Sequence, residues 1–202
     1  MLWLTSIDAK ASTLPAVWLI PTSERPANLM ERARLRRSVA GLVLDHQLGQ
    51  PAATIEIGHD ERGRPLLARP AGQGLHLSLA TRAGIVAVGL AERPIGVDVE
   101  RVEQGTEPPL AVLHPTERDI LLALPAAERP LAFAQLWSAK EAYVKALGTG
   151  FAHAPERFCV RFLAEGFFTV EDAGVRSIGL GAARLMKNGD QEDLAAAIVV
   201  VA

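Results

Sequence analysis

Short apolar runs alternate with two longer amphipathic stretches along the chain, and this pattern predicts a protein of mixed helix and strand. Side chains of a strand point alternately to opposite faces, whereas apolar residues three and four positions apart indicate a helix. Helices are predicted at about 26–48 and 131–147, each ended by a glycine. Strands are predicted at 1–8, 17–20, 54–57, 75–80, 85–90, 95–100, 158–162, 167–170 and 194–201.

The same order of elements occurs loosely twice. The helix at 26–48 has a counterpart at 131–147, and the apolar runs at 85–90 and 194–201 have a similar offset. We therefore predict an α+β fold made of two similar α/β halves, residues 1–100 and 101–202, which form a pseudo-dimer. A ligand site is expected where the two halves meet.

Composition narrows the class of protein. The 202 residues are 49% hydrophobic and 22% charged, and 21 Lys and Arg nearly balance 23 Asp and Glu. The net charge therefore produces no overall electrostatic field that would favour nucleic acid or a membrane surface as a partner. No apolar run approaches the ~20 residues that span a bilayer. A single cysteine, Cys159, is typical of a reducing compartment, and we expect a cytoplasmic location.

One strand carries two acids on the same face. In Ile95–Glu100 the three apolar residues would bury one face, while Gly96, Asp98 and Glu100 line the other. Two buried carboxylates this close require a compensating cation, and a hard divalent ion such as Mg²⁺ prefers oxygen ligands. The alternative is an edge strand whose two acids are solvated. The strand alone does not decide between these interpretations.

The second helix carries another candidate set. Trp137, Glu141 and Lys145 are spaced by four residues, so they share one helix face. In one interpretation, Glu141 and Lys145 form a surface ion pair worth roughly 0.2–0.5 kcal/mol. In the other, Glu141 is a third metal carboxylate and Lys145 is a cation for phosphate.

Together the two stretches resemble the 4'-phosphopantetheinyl transferase family. Its Gly-hydrophobic-Asp-hydrophobic-Glu motif matches residues 96–100, and its Trp-x-x-Lys-Glu-Ala-x-x-Lys-x-x-Gly motif matches residues 137–148. The resemblance extends from about residue 25 to about residue 151. The chain length is similar to that of the longer, surfactin-type branch, in which one polypeptide carries two similar halves and is usually monomeric.

The resemblance implies an activity. It implies transfer of the 4'-phosphopantetheine group of coenzyme A, the co-substrate, to a serine of an apo acyl or peptidyl carrier protein, with release of adenosine 3',5'-bisphosphate. Asp98, Glu100 and Glu141 would hold Mg²⁺. Glu141 would accept the serine proton, directly or through a metal-bound water, and Lys145 would support the leaving phosphate. Asp98, Glu141 and Lys145 are therefore the expected catalytic residues.

The resemblance also implies residues that bind coenzyme A. Residues 37–41 match the family's Arg-Thr/Ser-x-x-Gly stretch, and residues 63–65 match its Gly-Lys/Arg-Pro turn. Arg34 is a further candidate, although no motif fixes its alignment. The expected coenzyme-binding residues are Arg37, Ser38, Arg64, Ser78, Lys140 and Lys145.

One stretch departs from the family. The family's Phe-Asn-x-Ser-His-Ser/Thr pattern retains only its first serine here, because the histidine is Leu79 and the next hydroxyl is Ala80. Leu79 cannot donate to a coenzyme phosphate, and one lost charge-assisted hydrogen bond weakens binding by roughly 1.5–3 kcal/mol. Thr81, Arg82 and His76 are the candidates to replace it.

A smaller departure precedes a predicted short helix. His114 stands where the family has a serine or threonine cap, so Thr116 is the expected cap, and Glu117 is expected to be structural.

Two other functions remain open at this point. A coenzyme A-binding or carrier-binding protein could keep the carboxylates without transferring anything, and Leu79, Ala80 and His114 motivate that alternative. A Mg²⁺-dependent phosphohydrolase would need only the carboxylates, but it leaves the 137–148 motif unexplained. The sequence does not identify the carrier protein, and it does not distinguish Mg²⁺ from Mn²⁺.

Overall fold

Two β-sheets lie face to face in the computed structural model, which describes residues 1–71, 73–149, 152–174, 180–188 and 192–201. Residues 150 and 151, at the end of the family resemblance, lie outside these ranges. The helices are α1 (Leu29–Leu48), α2 (Pro115–Ala123) and α3 (Arg129–Leu147). The strands are β1 (Leu2–Leu4), β2 (Ala16–Pro21), β3 (Glu56–His59), β4 (Pro65–Arg69), β5 (His76–Arg82), β6 (Ile85–Ala91), β7 (Ile95–Arg101), β8 (Cys159–Phe162), β9 (Phe167–Glu171), β10 (Leu180–Asn188) and β11 (Glu192–Val200).

The strands form a six-stranded and a five-stranded sheet. The first has the order β1-β2-β6-β5-β4-β3, and the second has the order β7-β11-β10-β9-β8. The pair β1–β2 is parallel, whereas β5–β6 and β10–β11 are antiparallel hairpins. The strands predicted at 75–80 and 85–90 thus pair with each other as β5 and β6.

Three apolar layers hold the elements together. The first lies between α1 and the outer face of the first sheet, where Leu35, Val43 and Leu44 are buried. The second lies between the sheets, and the third lies between α3 and the second sheet. The predicted α+β architecture is confirmed, and one long helix lies on each of the two sheets.

Strand β7 shows the predicted alternation. Ile95, Val97 and Val99 lie in the apolar layer between the sheets. On the other face Gly96 meets the backbone of α3, and Asp98 contacts a lysine of that helix. The predicted boundary between the two halves places β7 at the end of the first half. In the structure β7 pairs with β11 of the second sheet. The boundary near residue 100 stays a prediction.

The helix ends follow local hydrogen bonding. Asn28 caps α1 by accepting a hydrogen bond from the Glu31 N–H at 2.9 Å, so the helix begins after the predicted Pro26. At α2 the expected cap was wrong, because His114 Nδ1 accepts from the Thr116 N–H at 3.3 Å. Glu117 completes that cap by accepting from the His114 N–H at 3.0 Å. Within the described ranges, no helix is long and apolar enough to cross a membrane.

Strand β7 and helix α3 approach each other closely at Gly96. A Cβ at this position would lie 1.8 Å from the Ala142 carbonyl oxygen and 2.6 Å from the Ala146 nitrogen. Both are backbone atoms of α3, which cannot rotate away as a side chain can. Any larger residue would therefore push the helix off the strand.

We expect Gly96→Ala to lower the free energy of unfolding by about 3 kcal/mol or more, since overpacking against rigid backbone is destabilising. Gly41→Ala in α1 is the matched control, because nothing lies within 4 Å of a Cβ there. That change should be neutral or stabilise by about 0.5–1 kcal/mol. Urea unfolding measures both, and equal stability of Gly96→Ala and the wild type would contradict the packing argument.

Candidate functional site

The carboxylate of Asp98 is buried beneath α3. Lys145 Nζ donates to its Oδ1 at 2.5 Å and to the Val97 carbonyl at 3.2 Å. The other oxygen, Oδ2, is buried and has no hydrogen-bond partner among the residues that the structure describes. An unpaired buried oxygen costs about 1–3 kcal/mol, so this one is suited to a further partner.

Two more carboxylates lie within electrostatic range of Asp98. Burial, together with the charges of Asp98 and Glu141, raises the pKa of Glu100 to about 7 against the opposing effect of Arg82 and Lys145. Burial and the charge of Asp98 also raise the pKa of Glu141. Burial raises the pKa of Asp98 itself, although Lys145 opposes that shift. Three ionised carboxylates are therefore unfavourable here without another cation.

The donor chemistry at this site fits a hard divalent ion. Asp98, Glu100 and Glu141 offer carboxylate oxygens, the ligands that Mg²⁺ prefers, and Asp98 Oδ2 lacks any other partner. Within the described part of the chain, however, no three acidic, histidine or cysteine side chains are already grouped closely enough to hold a metal. The Lys145 ammonium is the cation nearest Asp98 in this arrangement.

A basic cleft of about 260 Å³ begins at the same lysine. Its walls come from α1, the turn before β4, strand β5 and the end of α3. No acidic residue lines the cleft in the described part of the chain. The basic residues in its lining are Arg36, Arg37, His59, Arg62, Arg64 and Lys145.

This concentration of positive charge is suited to a polyanion. Burial lowers the pKa of Arg36, and the charges of Arg32 and Arg37 lower it further. Guanidinium groups bind phosphate oxygens through paired hydrogen bonds. A ligand with several phosphate groups therefore matches the cleft.

The structure brings four of the predicted coenzyme-binding residues into this cleft: Arg37, Arg64, Ser78 and Lys145. Ser78 also ties β5 to β7, because its Oγ accepts from the Val97 N–H at 3.0 Å. Ser38 is exposed on α1 and does not line the cleft; with Arg34 it borders a separate depression.

Lys140 is placed in the core rather than in the cleft, which corrects the position expected from its motif. Its side chain is fully buried, and Nζ donates to Glu117 at 2.7 Å and to the Phe158 carbonyl at 2.8 Å. Glu117 also accepts from the Val160 N–H at 2.7 Å. This buried pair joins α2, α3 and the start of β8, as the structural reading of Glu117 anticipated.

None of the candidates for the missing histidine lines the cleft in the described part of the chain. Thr81 Oγ1 donates to the Ile85 carbonyl, and Arg82 Nε lies 3.5 Å from Glu100. His76 is exposed beside β4, while Leu79 itself lines the cleft.

Three basic residues of the cleft were missed as binding residues. Arg36 was visible as part of the basic face of α1, and Arg62 lies in the same turn as Arg64. Packing the basic face of α1 against the turn before β4 would have indicated both Arg36 and Arg62 as binding residues. His59 ends a short strand and carries no sequence signal of binding.

Comparison with known proteins identifies similar chains. The family profile described as "4'-phosphopantetheinyl transferase superfamily" matches residues 94–199. A 4'-phosphopantetheinyl transferase from Bacillus subtilis is 29% identical over 124 residues, which are 61% of this chain and 54% of the relative. The 4'-phosphopantetheinyl transferase HetI of Nostoc sp. (strain PCC 7120) is 30% identical over 126 residues, 59% of this chain and 53% of the relative.

A third relative is the 4'-phosphopantetheinyl transferase Sfp of Bacillus subtilis (strain 168). It is 27% identical over 130 residues, which cover 64% of this chain and 57% of the relative. The chain thus spans little more than half the length of these curated relatives.

The raised pKa of Glu100 predicts a stability that depends on pH. Its folded-state pKa is about 7 against an ordinary 4.5, so the folded protein binds more protons than the unfolded chain between these values. The stability that Glu100 contributes is therefore fully present below pH 4.5 and is lost as pH rises through about 7, by at most about 3 kcal/mol. Unfolding in EDTA at several pH values should show this fall, and Glu100→Gln should reduce it.

Glu92→Gln provides the control, because Glu92 is exposed in the turn before β7. It should leave the wild-type pH dependence unchanged. An identical pH dependence in Glu100→Gln and the wild type would show that Glu100 titrates normally.

The buried Lys140–Glu117 pair predicts a large effect on stability. Lys140→Met leaves the Glu117 carboxylate buried without its cation, which costs about 3–5 kcal/mol. The double variant with Glu117→Gln should recover part of this loss, because no unpaired charge remains. Lys187→Met is the control, because the Lys187 side chain on β10 is exposed; it should change stability by less than about 0.5 kcal/mol. Chemical unfolding compares the four proteins. A Lys140→Met protein as stable as the wild type would show that the Lys140–Glu117 pair does not stabilise the fold.

Proposed function

Because the chain belongs to the 4'-phosphopantetheinyl transferase superfamily, we propose that it transfers the 4'-phosphopantetheine group of coenzyme A to a serine of an apo acyl or peptidyl carrier protein. Adenosine 3',5'-bisphosphate is the second product. One observation carries the proposal: Lys145 contacts the buried Asp98 carboxylate and also lines the basic cleft. A site that favours a cation thus adjoins a site that favours a polyanion.

The cleft is proposed to bind the phosphate groups of coenzyme A. Arg36 and Arg37 enter it from α1, and Arg64 enters from the turn before β4. No acidic residue lines the described cleft wall, although Arg64 and Lys145 also contact carboxylates behind it, those of Asp60 and Asp98. These arginines also supply positive charge near Leu79, where the family has a histidine.

The carboxylates are proposed to act at the reacting end of the ligand. Asp98, Glu100 and Glu141 would hold Mg²⁺, which when bound neutralises charge that develops on pyrophosphate oxygens. The orphaned Asp98 Oδ2 and the raised pKa values of the group support this assignment.

The reaction exchanges one phosphorus–oxygen bond for another. The serine Oγ attacks the β-phosphorus of coenzyme A, and the bond from that phosphorus to the bridging oxygen breaks. The bridging oxygen leaves with the electron pair as part of adenosine 3',5'-bisphosphate, where Lys145 stabilises its charge. Glu141 accepts the serine proton as the general base.

The test is direct. The protein is incubated with coenzyme A, Mg²⁺ and an apo carrier protein, and mass spectrometry detects the gain of phosphopantetheine on the carrier serine. Coenzyme A binding without any mass gain, across acyl and peptidyl carriers and with Mn²⁺ as well, would favour the non-catalytic alternative. Release of phosphate without carrier modification would favour a phosphohydrolase.

We predict that Asp98→Asn and Glu141→Gln each lower the transfer rate by about 10²-fold or more, since each removes a charge on which the reaction depends. Glu128→Gln, exposed at the start of the same helix, should retain wild-type transfer. Thermal unfolding checks that the variants are folded. Near-normal transfer by either site variant would refute its role.

The metal assignment has a readout that does not require activity. Mg²⁺ should raise the melting temperature of the wild type more at pH 7.5 than at pH 5.5, because ligand carboxylates must lose their protons to bind it. Asp98→Asn should remove most of that rise. An equal rise in Asp98→Asn would place the metal elsewhere.

A further inference from the structure

The side chain of Asp60 organises the turn between β3 and β4. Its Oδ1 accepts hydrogen bonds from the backbone N–H groups of Arg62 at 2.9 Å and Arg64 at 2.8 Å. The Asp60 N–H donates to the Arg64 carbonyl at 2.9 Å, and the Gly63 N–H donates to the Asp60 carbonyl at 2.9 Å. The backbone of residues 60–64 is therefore held from both ends by one residue.

The same carboxylate also fixes the side chain of Arg64. Asp60 Oδ2 accepts from Arg64 Nε at 2.7 Å. The two terminal nitrogens of that guanidinium have no partner among the described residues, and Arg64 lines the basic cleft. A guanidinium held through Nε keeps its terminal N–H groups available for an anion.

The end of α3 provides the space that Arg64 occupies. Gly148 ends that helix with a φ of 66°. A Cβ on Gly148 would lie 2.4 Å from Arg64 Cδ, 2.5 Å from Nε and 2.6 Å from Cζ. The Arg64 side chain thus lies where residue 148 would carry its own. The carbonyl end of a helix attracts a cation, which adds to this placement.

We propose that Asp60 is a positioning residue for anion binding, which holds Arg64 against Gly148 so that its terminal nitrogens face the cleft. The inference rests on the proposed binding of coenzyme A in that cleft. Asp60 itself touches no ligand and acts through Arg64. The arrangement joins the turn before β4 to the helix that carries Glu141 and Lys145, so the phosphate-binding and reacting groups keep a fixed separation.

Charge and positioning predict opposite effects for a change at Asp60. The carboxylate is a negative charge beside a site for anions, so its removal alone would strengthen binding of a polyanion. If Asp60 acts by positioning Arg64, its removal weakens binding instead. The sign of the change in affinity therefore separates the two roles.

The experiment measures the affinity of adenosine 3',5'-bisphosphate by calorimetry, together with kcat and KM for transfer. Asp60→Asn should raise the dissociation constant and the KM for coenzyme A about tenfold, with kcat nearly unchanged. Glu61→Gln removes the same charge from an exposed neighbour in the turn. It should leave the affinity unchanged or slightly higher.

A double variant tests whether Asp60 acts through Arg64. Arg64→Met alone should weaken binding at least as much as Asp60→Asn. Asp60→Asn added to Arg64→Met should cause no further loss, because the group that it positions is absent. Gly148→Ala should weaken binding in the wild type and have no effect on affinity in the Arg64→Met protein, while the melting temperature reports any damage to the helix end.

The outcomes distinguish this inference from the proposed function. Unchanged or tighter binding in Asp60→Asn, or additive losses in the double variant, would overturn the positioning role while wild-type transfer stands. Unchanged binding in Arg64→Met would overturn it in the same way. A wild-type protein that neither binds the bisphosphate nor modifies a carrier would overturn the proposed function and this inference with it.

Discussion

Helix α3 lies directly on strand β7, and the site depends on that contact. At Gly96 the helix backbone occupies the space that any side chain would fill, so the two elements approach as nearly as their main chains allow. This approach places Lys145 on the buried carboxylate of Asp98, although the two residues are far apart in sequence. Because Ile95, Val97 and Val99 anchor the opposite face of β7 between the sheets, the strand cannot move to relieve the contact. The site is thus fixed from both sides.

The fixed position of Asp98 beneath α3 also explains the raised pKa values of the carboxylates at the site. Carboxylates that could turn toward solvent would do so, and their pKa values would stay ordinary. Asp98 is held beneath the helix, so its burial is imposed by packing, and the pKa values of Glu100 and Glu141 rise in response to burial and its charge. The apolar layers hold the acids in an arrangement that they would not adopt alone. Stability supplied by the core thereby maintains a site that attracts cations.

Sequence patterns predicted the parts of this arrangement that follow from local chemistry. The alternation in β7 and the glycines at 49 and 148 were readable because strand period and left-handed helix ends have direct residue signatures. Strand β10 was missed, since its Arg184 and Lys187 interrupt the apolar pattern. Lys140 was misplaced because a motif does not reveal which helix face packs inward, and here that face meets Glu117. The cleft is lined by elements that are far apart in sequence, so its complete set of lining residues could not be predicted from the sequence.

Leu79 is a departure from the family pattern that the proposed function has to accommodate. With an apolar residue in the cleft wall, the proposed recognition of phosphate would depend on cations from other elements. Arg36, Arg62 and Arg64 line the cleft from two separate segments. Such cations are useful only if those segments keep their positions relative to α3. Arg64 meets that condition through the hydrogen bonds of Asp60 and the absent side chain of Gly148. Under the proposed binding of coenzyme A, the recognition that a histidine would supply from β5 would fall to guanidinium groups whose geometry depends on packing between elements.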